Sequence, residues 1–147
     1  MAEIGFYHLT RTTTDRALPQ LLARALGTGE RAVVLCGAPA RRDTVDAALW
    51  ADAAWLPHNG AGDEDPDLQP IWLASEDARP PNSARFLFLV DGAESLRLDE
   101  FARVFDLFDG QDPAAVTAAR QRWAIAKNAG HVLTYWRQSE RGWEKGP

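Results

Sequence analysis

Short apolar runs alternate with longer amphipathic stretches along the chain. Continuous apolar runs such as RAVVLCG and RFLFLVDG are typical of strands that are covered on both faces. The runs predicted as strands are 3–9, 31–37, 53–59, 70–76, 85–92 and 131–138. The glycine- and proline-containing acidic stretch 60–69 is predicted as an exposed loop.

Helical spacing of apolar residues predicts the segments between these strands. In the first helix the leucines recur at helical spacing from Leu18 to Leu26, with Asp15 as a candidate cap and Gly27 or Gly29 at the end. A second helix is predicted at 41–52, capped by Asp43 or Thr44.

Two more helices are predicted in the second half of the chain. The stretch 98–110, LDEFARVFDLFDG, is read as amphipathic, and its inner stripe comprises Phe101, Val104, Phe105 and Phe108. The stretch 112–130 has Asp112 as its N-cap, Pro113 in the first turn and Gly130 at its end.

The alternation of strands and helices predicts crossover connections, and therefore a three-layer α/β fold. We expect one domain, 1–147, with a mostly parallel sheet and helices on both faces. The pattern leaves open the order of the strands and whether the segment 137–147 is ordered.

Charge changes this picture near the C-terminus. The chain carries a net charge of −5, but residues 115–147 hold 6 basic and 2 acidic residues, a local net charge of +4. A duplex-DNA-binding protein usually has a broad basic face, which an acidic chain of this kind lacks. A small basic end on an acidic body better fits the binding of one compact anionic group.

Catalytic signals are sparse. Cys36 is the only cysteine and lies in an apolar run, where a buried hydrophobic role is expected. His8, His58 and His131 have no metal-type spacing. The glycine motifs of nucleotide sites are missing, although a phosphate could meet the helix start at 37–44 beside Arg41 and Arg42.

The most specific feature is the basic helix. Arg120, Trp123 and Lys127 fall on one face, with Val116 one turn earlier, and Arg122 projects elsewhere. A guanidinium can grip a carboxylate, and an indole can form the wall of an apolar pocket. The face could therefore bind an acidic peptide with a hydrophobic end, or it could be core and solvated charge.

Five stretches, in order along the chain, resemble the chi subunit of bacterial DNA polymerase III. They are FYHL at 6–9, ALWADAAWLPHN at 48–59, PIWL at 70–73, FARVFDLFDGQD at 101–112 and ARQRWAIAKNAGHVLTYW at 119–136. The resemblance covers nearly the full chain. It implies a Rossmann-like fold without a functional nucleotide motif, no cofactor and no catalysis.

Chi proteins link the clamp loader to single-stranded DNA-binding protein (SSB), whose acidic C-terminal tail ends in Phe. The resemblance implies that Arg120 contacts this tail and that Trp123, where relatives often have Tyr, lines the apolar pocket. Lys127 would partly replace a lysine that relatives often carry at the position of Ala124. Gly130 matches the glycine that follows the helix. Phe108, on the preceding predicted helix, is a further candidate for the pocket wall, although core is the expected role.

The resemblance also implies a second partner, the psi subunit or the clamp loader itself. The candidate interface comprises Trp50, Trp55, Leu56 and Pro57. The N-terminus lacks the pattern of a signal peptide, so a cytoplasmic protein is expected. Two alternatives stay open: a nucleotide-binding enzyme or sensor, and single-strand binding through Trp123, Tyr135 and Trp136.

Overall fold

A mostly parallel sheet organises the fold. The computed structural model describes residues 2–51, 59–60, 70–140 and 142–146. These residues form an eight-stranded sheet with the order β3-β4-β2-β5-β6-β1-β7-β8, in which only the β7–β8 pairing is antiparallel. The predicted α/β class with a mostly parallel sheet is therefore confirmed.

The bounds of the elements follow the chain. The strands are β1 Glu3–Leu9, β2 Ala32–Leu35, β3 Asn59–Gly60, β4 Ile71–Ala74, β5 Phe86–Val90, β6 Arg103–Asp109, β7 Val132–Ser139 and β8 Gly142–Lys145. The helices are α1 Thr14–Leu26, α2 Pro39–Ala51 and α3 Pro113–Asn128.

The helices cover the two faces of the sheet unequally. One core contains the apolar residues of α1 and α2, such as Leu22 and Leu49, packed against Val34 and Phe88 of the sheet. The other core lies on the opposite face, where Ala119 and Ala126 of α3 join sheet residues. The predicted three layers are confirmed: among the described residues, two helices lie on one face and one on the other.

The ends of α3 follow the sequence prediction closely. The Asp112 carboxylate accepts a hydrogen bond from the Ala114 amide at 3.0 Å. At the other end, Gly130 has φ of +87°, its amide donates to Lys127, and the His131 amide donates to Ala126. This is the glycine-terminated arrangement that satisfies the last carbonyls of a helix.

The prediction of a helix at 98–110 is wrong. The segment forms a single 3-10 turn, Leu98–Glu100, followed by strand β6. Residues 104–108 are all buried because β6 lies in the middle of the sheet and is covered on both faces. Without an exposed face a strand loses its two-residue alternation, so the phenylalanine spacing also fits a helix.

Smaller corrections concern helix starts and the last strand. Thr13, not Asp15, is the N-cap of α1, and Gly27 ends it. Helix α2 begins at Pro39, so Asp43 and Thr44 lie inside it and are not caps. The end of the chain, whose order the sequence left open, contributes β8 at one edge of the sheet.

The chain leaves the neighbouring parallel strands β1 and β6 towards opposite faces of the sheet. After β1 the chain enters α1 on one face of the sheet, and after β6 it enters α3 on the other. Such a divergence opens a crevice at the carboxyl ends of parallel strands, the usual location of ligand sites in α/β folds. His8, near the end of β1, faces Phe108 of β6 across this divergence.

Candidate functional site: a cavity beneath helix α3

A cavity of about 230 Å³ lies between α3 and the strands β1, β6 and β7. Its lining residues come from all four elements and are mostly apolar or aromatic. They are Phe6, His8, Phe108, Val116, Ala119, Arg120, Trp123 and Tyr135. A helix laid across the divergence of β1 and β6 thus forms the roof of a small apolar site.

The helical period places three predicted residues at the cavity. Val116, Arg120 and Trp123 lie four and three residues apart, which brings them to one side of α3. Ala119 between them is buried, and its small side chain lets the helix approach the sheet. Trp123 is half-buried and packs edge-on against Phe6, with ring centroids 5.1 Å apart.

Arg120 supplies the charge. Its side chain is exposed at the mouth of the cavity. Within the part of the chain that the structure describes, no carboxylate is within ion-pair distance of its guanidinium. Its five N–H donors are therefore available to an incoming anion.

The sequence analysis missed the polar floor of the cavity. His8 Nδ1 forms a short hydrogen bond with the Tyr135 hydroxyl, and the His8 ring stacks on Phe108 with centroids 5.0 Å apart. Strand alternation places His8 on the same face of β1 as Phe6, but no local signal pairs His8 with Tyr135 of another strand.

Gly110 fixes the position of the His8 ring. A Cβ atom at Gly110 would lie 2.2 Å from His8 Cδ2, so only glycine lets the imidazole pack here. Burial lowers the pKa of His8, a backbone hydrogen bond with Gly110 opposes this, and the cations of Arg137 and Arg120 lower it further. The cavity floor is therefore a neutral imidazole at neutral pH, next to the Arg120 cation.

The two other predicted residues of this helix lie outside the cavity. Lys127 is exposed one turn beyond Trp123 and does not line it. Gly130 terminates α3. Phe108, expected mainly in the core, is buried and also forms part of the cavity wall, but it lies on β6 and not on a helix.

Arg122 turns to the opposite side of α3 and binds Asp106. Its Nε and Nη2 atoms donate to the two carboxylate oxygens at 2.7 and 3.0 Å. Asp106 is 2% exposed, and burial raises the pKa of its carboxyl while the Arg122 hydrogen bonds and charge lower it. The pair ties α3 to β6 and holds the roof of the cavity in place.

The candidate partner interface lies outside the described side chains. Trp55, Leu56 and Pro57 lie outside the described residues. Trp50 falls within α2, but its side chain is likewise outside the described part.

The candidate phosphate site at 37–44 is occupied by an ion-pair cluster. Arg41 Nη2 donates to Asp15 at 2.6 Å, and Arg41 Nε forms a short hydrogen bond with Asp91. Arg42 lies 3.2 Å from Asp43. A phosphate here would meet three carboxylates, so the geometry disfavours the nucleotide-binding alternative.

Of the other candidate residues for chemistry, His58 lies outside the described residues. Cys36 is buried, and burial raises the pKa of its thiol to about 12. Residues 2–51, 59–60, 70–140 and 142–146 contain no group of three His, Cys, Asp or Glu side chains able to hold a metal ion. The same segments contain no helix long and apolar enough to span a membrane.

The single-strand-binding alternative requires Trp123, Tyr135 and Trp136 to act together. Trp123 and Tyr135 line the cavity under α3, whereas Trp136 packs against the core on the opposite face of the sheet. Adjacent residues of a strand point to opposite faces. The three rings therefore do not form one surface.

Comparison with known proteins covers nearly the whole chain. Residues 1–134 match the family model described as DNA polymerase III chi subunit, HolC. A protein of Rickettsia prowazekii (strain Madrid E) named "Probable DNA polymerase III subunit chi" is 24% identical over 110 residues, 71% of this chain and 66% of that protein. The match spans slightly less than two thirds of the relative's own length.

Proposed function

The chain belongs to the DNA polymerase III chi subunit family, and on that premise we propose that it is a non-catalytic replication adaptor. It captures the acidic C-terminal tail of SSB in the cavity beneath α3 and connects it to the clamp loader. The resemblance carried by the segment 119–136 supports this assignment.

The observation that carries the proposal is a cation at the mouth of an apolar cavity, with no carboxylate partner in the described part of the chain. Trp123, Phe6 and Phe108 offer an aromatic lining for a terminal Phe side chain. Arg120 lies where it can bind the terminal carboxylate by two parallel hydrogen bonds. Lys127, one turn further on, attracts the acidic residues that precede the terminus.

The expected affinity is modest. A disordered tail loses conformational entropy when it binds, which offsets part of the contact energy. The attraction between exposed charges is screened by salt, so affinity falls as ionic strength rises. A weak, salt-sensitive contact suits an adaptor that must release its partner.

We also propose the second connection from the resemblance alone. The psi subunit, or the clamp loader directly, would bind around Trp50, Trp55, Leu56 and Pro57. The adaptor role places the protein in the cytoplasm with the replication machinery and requires no cofactor or catalytic group.

Fluorescence anisotropy with a labelled acidic peptide ending in Phe tests the proposal. We expect saturable binding that weakens with added salt and is lost when the terminal Phe is removed. Arg120→Ala should weaken binding by roughly 1–3 kcal/mol, the range for a lost charge-assisted hydrogen bond.

Arg16→Ala is the matched control, because Arg16 is exposed on α1, on the opposite face of the sheet. It removes the same charge and should leave peptide affinity nearly unchanged. A folded wild-type protein that does not bind the peptide, or that binds the Phe-less peptide equally well, would exclude this function for the cavity.

A further inference from the structure

A second cavity, of about 280 Å³, lies on the sheet face opposite α3. Tyr7, Phe105, Trp136 and Trp143 supply its aromatic lining, and Arg24 and Arg103 its charge, together with Leu21, Ala25, Thr28 and Phe86. We call the group Tyr7, Trp136, Trp143, Arg24 and Arg103 the aromatic–cationic face. It shares no residue with the cavity beneath α3.

The aromatic rings are held in fixed orientations by the sheet. Tyr7 and Trp136 are nearly parallel, at an interplanar angle of 10°, and Trp143 stands edge-on to Tyr7 at 86°. The Trp136 indole N–H donates to Thr134 at 3.2 Å. Helix α1 packs on α2 and, among the strands, on β6 and β2. Both indoles are partly buried and partly exposed.

Cations surround these rings. Burial raises the pKa of Tyr7, and the charges of Arg103 and Arg24 lower it, so both guanidiniums act on the centre of the face. Arg24 is exposed and has no ion-pair partner among the described side chains. Arg103 lies over the Phe105 ring and 3.9 Å from Glu3, a loose contact. Lys145 is paired with Trp136 in the β7–β8 register, so it projects to this face too.

We propose that the aromatic–cationic face binds single-stranded nucleic acid. A base would enter the cavity and stack on an indole, and the flanking phosphates would bind Arg24 and Arg103. Flat, partly exposed indoles next to guanidiniums suit unpaired bases, whose planar faces a duplex hides. The net charge of −5 disfavours a broad contact with duplex DNA, which further favours a local single-strand contact.

This inference goes beyond the capture of an acidic peptide and does not depend on it. The two cavities lie on opposite faces of the sheet. One molecule could therefore bind a peptide beneath α3 and a single-stranded nucleic acid on the other face. A substitution on one face should then change the affinity for one ligand only.

The test is fluorescence anisotropy of a labelled oligothymidylate, titrated with the full chain at several salt concentrations. A length of about 15 nucleotides lies within the known range of single-strand site sizes. Trp143→Ala should weaken binding roughly 5- to 150-fold, as expected for one lost stacking contact. Arg24→Ala should reduce the slope of log affinity against log salt by about 0.7, the value for one phosphate contact with a single strand.

Three controls make the result specific. Arg16→Ala removes the same charge from the same helix outside the cavity and should keep the wild-type salt slope. A duplex of the same length should bind more weakly than the single strand. Arg120→Ala should bind oligothymidylate like wild type, and oligouridylate distinguishes a DNA from an RNA preference.

Because Trp143→Ala could disturb β8, Arg24→Ala keeps the inference testable: its side chain is exposed and has no ion-pair partner among the described residues. Equal salt slopes for Arg24→Ala and Arg16→Ala would overturn the proposal. So would competition by inorganic polyphosphate as effective as by the oligonucleotide, which would indicate charge alone. Binding of the acidic peptide that is lost in Arg24→Ala but not in Arg120→Ala would assign the face to a peptide instead.

Discussion

Arg120 and Arg122 are two residues apart on α3 and serve opposite purposes. Arg122 is nearly buried and holds Asp106 through two hydrogen bonds, whereas Arg120 is exposed and has no partner among the described residues. The difference comes from the helical rotation of about 200° between them, which turns one towards a buried carboxylate and the other towards a cavity mouth. One guanidinium stabilises the fold, and the other is available to a ligand.

The buried pair should give the largest effect. Arg122→Ala leaves the Asp106 carboxylate buried without its partner, so we expect a loss of about 3–5 kcal/mol in the free energy of unfolding. Urea denaturation measures this loss. The double variant Asp106→Leu with Arg122→Leu should recover most of the stability, and a single-variant loss below about 1 kcal/mol would show that the pair does not anchor α3.

Arg120 should show the reverse behaviour. Arg120→Ala is expected to change the free energy of unfolding by no more than about 0.5 kcal/mol, as at an ordinary surface position. The same urea titration, run beside the peptide titration, separates the two properties. If Arg120→Ala were as destabilising as Arg122→Ala, the contrast between the two arginines would be wrong.

Extending the cationic side of α3 should strengthen peptide binding slightly. Ala124 is exposed and one turn after Arg120, so Ala124→Lys adds a cation near the cavity mouth. We expect a gain of about 0.2–1 kcal/mol at low salt, the range for an exposed ion pair, measured by anisotropy with the acidic peptide. Ala124→Gln, similar in length but neutral, should show no gain, and an equal gain would indicate packing instead of charge.

The smallest effect concerns His8. Because burial lowers its folded-state pKa, the unfolded chain binds the proton first as the pH falls. Its contribution to stability is therefore present above the ordinary pKa of about 6.5 and is lost as the pH falls towards the folded-state value. Thermal melts should show a larger decrease in Tm on acidification for the wild type than for His8→Gln. Equal decreases would mean that His8 titrates as it does in the unfolded chain.

Much of α3 could be predicted because its signals are local. Asp112, Pro113 and Gly130 mark the ends of the helix through caps that need no tertiary contacts. The spacing of Val116, Arg120 and Trp123 then placed them on one side. The same angular argument put Lys127 one turn further along, outside the cavity lining. Its assignment to the peptide site stays a prediction.

Strand β6 and the cavity floor depended on contacts distant in sequence. In the sequence, Asp106 interrupts an apolar run, as an exposed residue of an amphipathic helix would. In the structure it lies in a buried strand, where Arg122, 16 residues later, pairs with its carboxylate. The pairing of His8 with Tyr135 joins residues 127 positions apart. No local pattern states which strands become neighbours, so these contacts could not be predicted.

Strand β8 has a consequence for aggregation through the edge of the sheet. A long uncovered edge strand offers unpaired N–H and C=O groups to any other strand, which promotes aggregation. The antiparallel β8 covers β7 from Trp136 to Ser139 and is itself only 4 residues long. Its exposed Glu144 and Lys145 place both signs of charge along the new edge. Residues 142–145 thus disfavour edge-to-edge pairing between the sheets of two molecules.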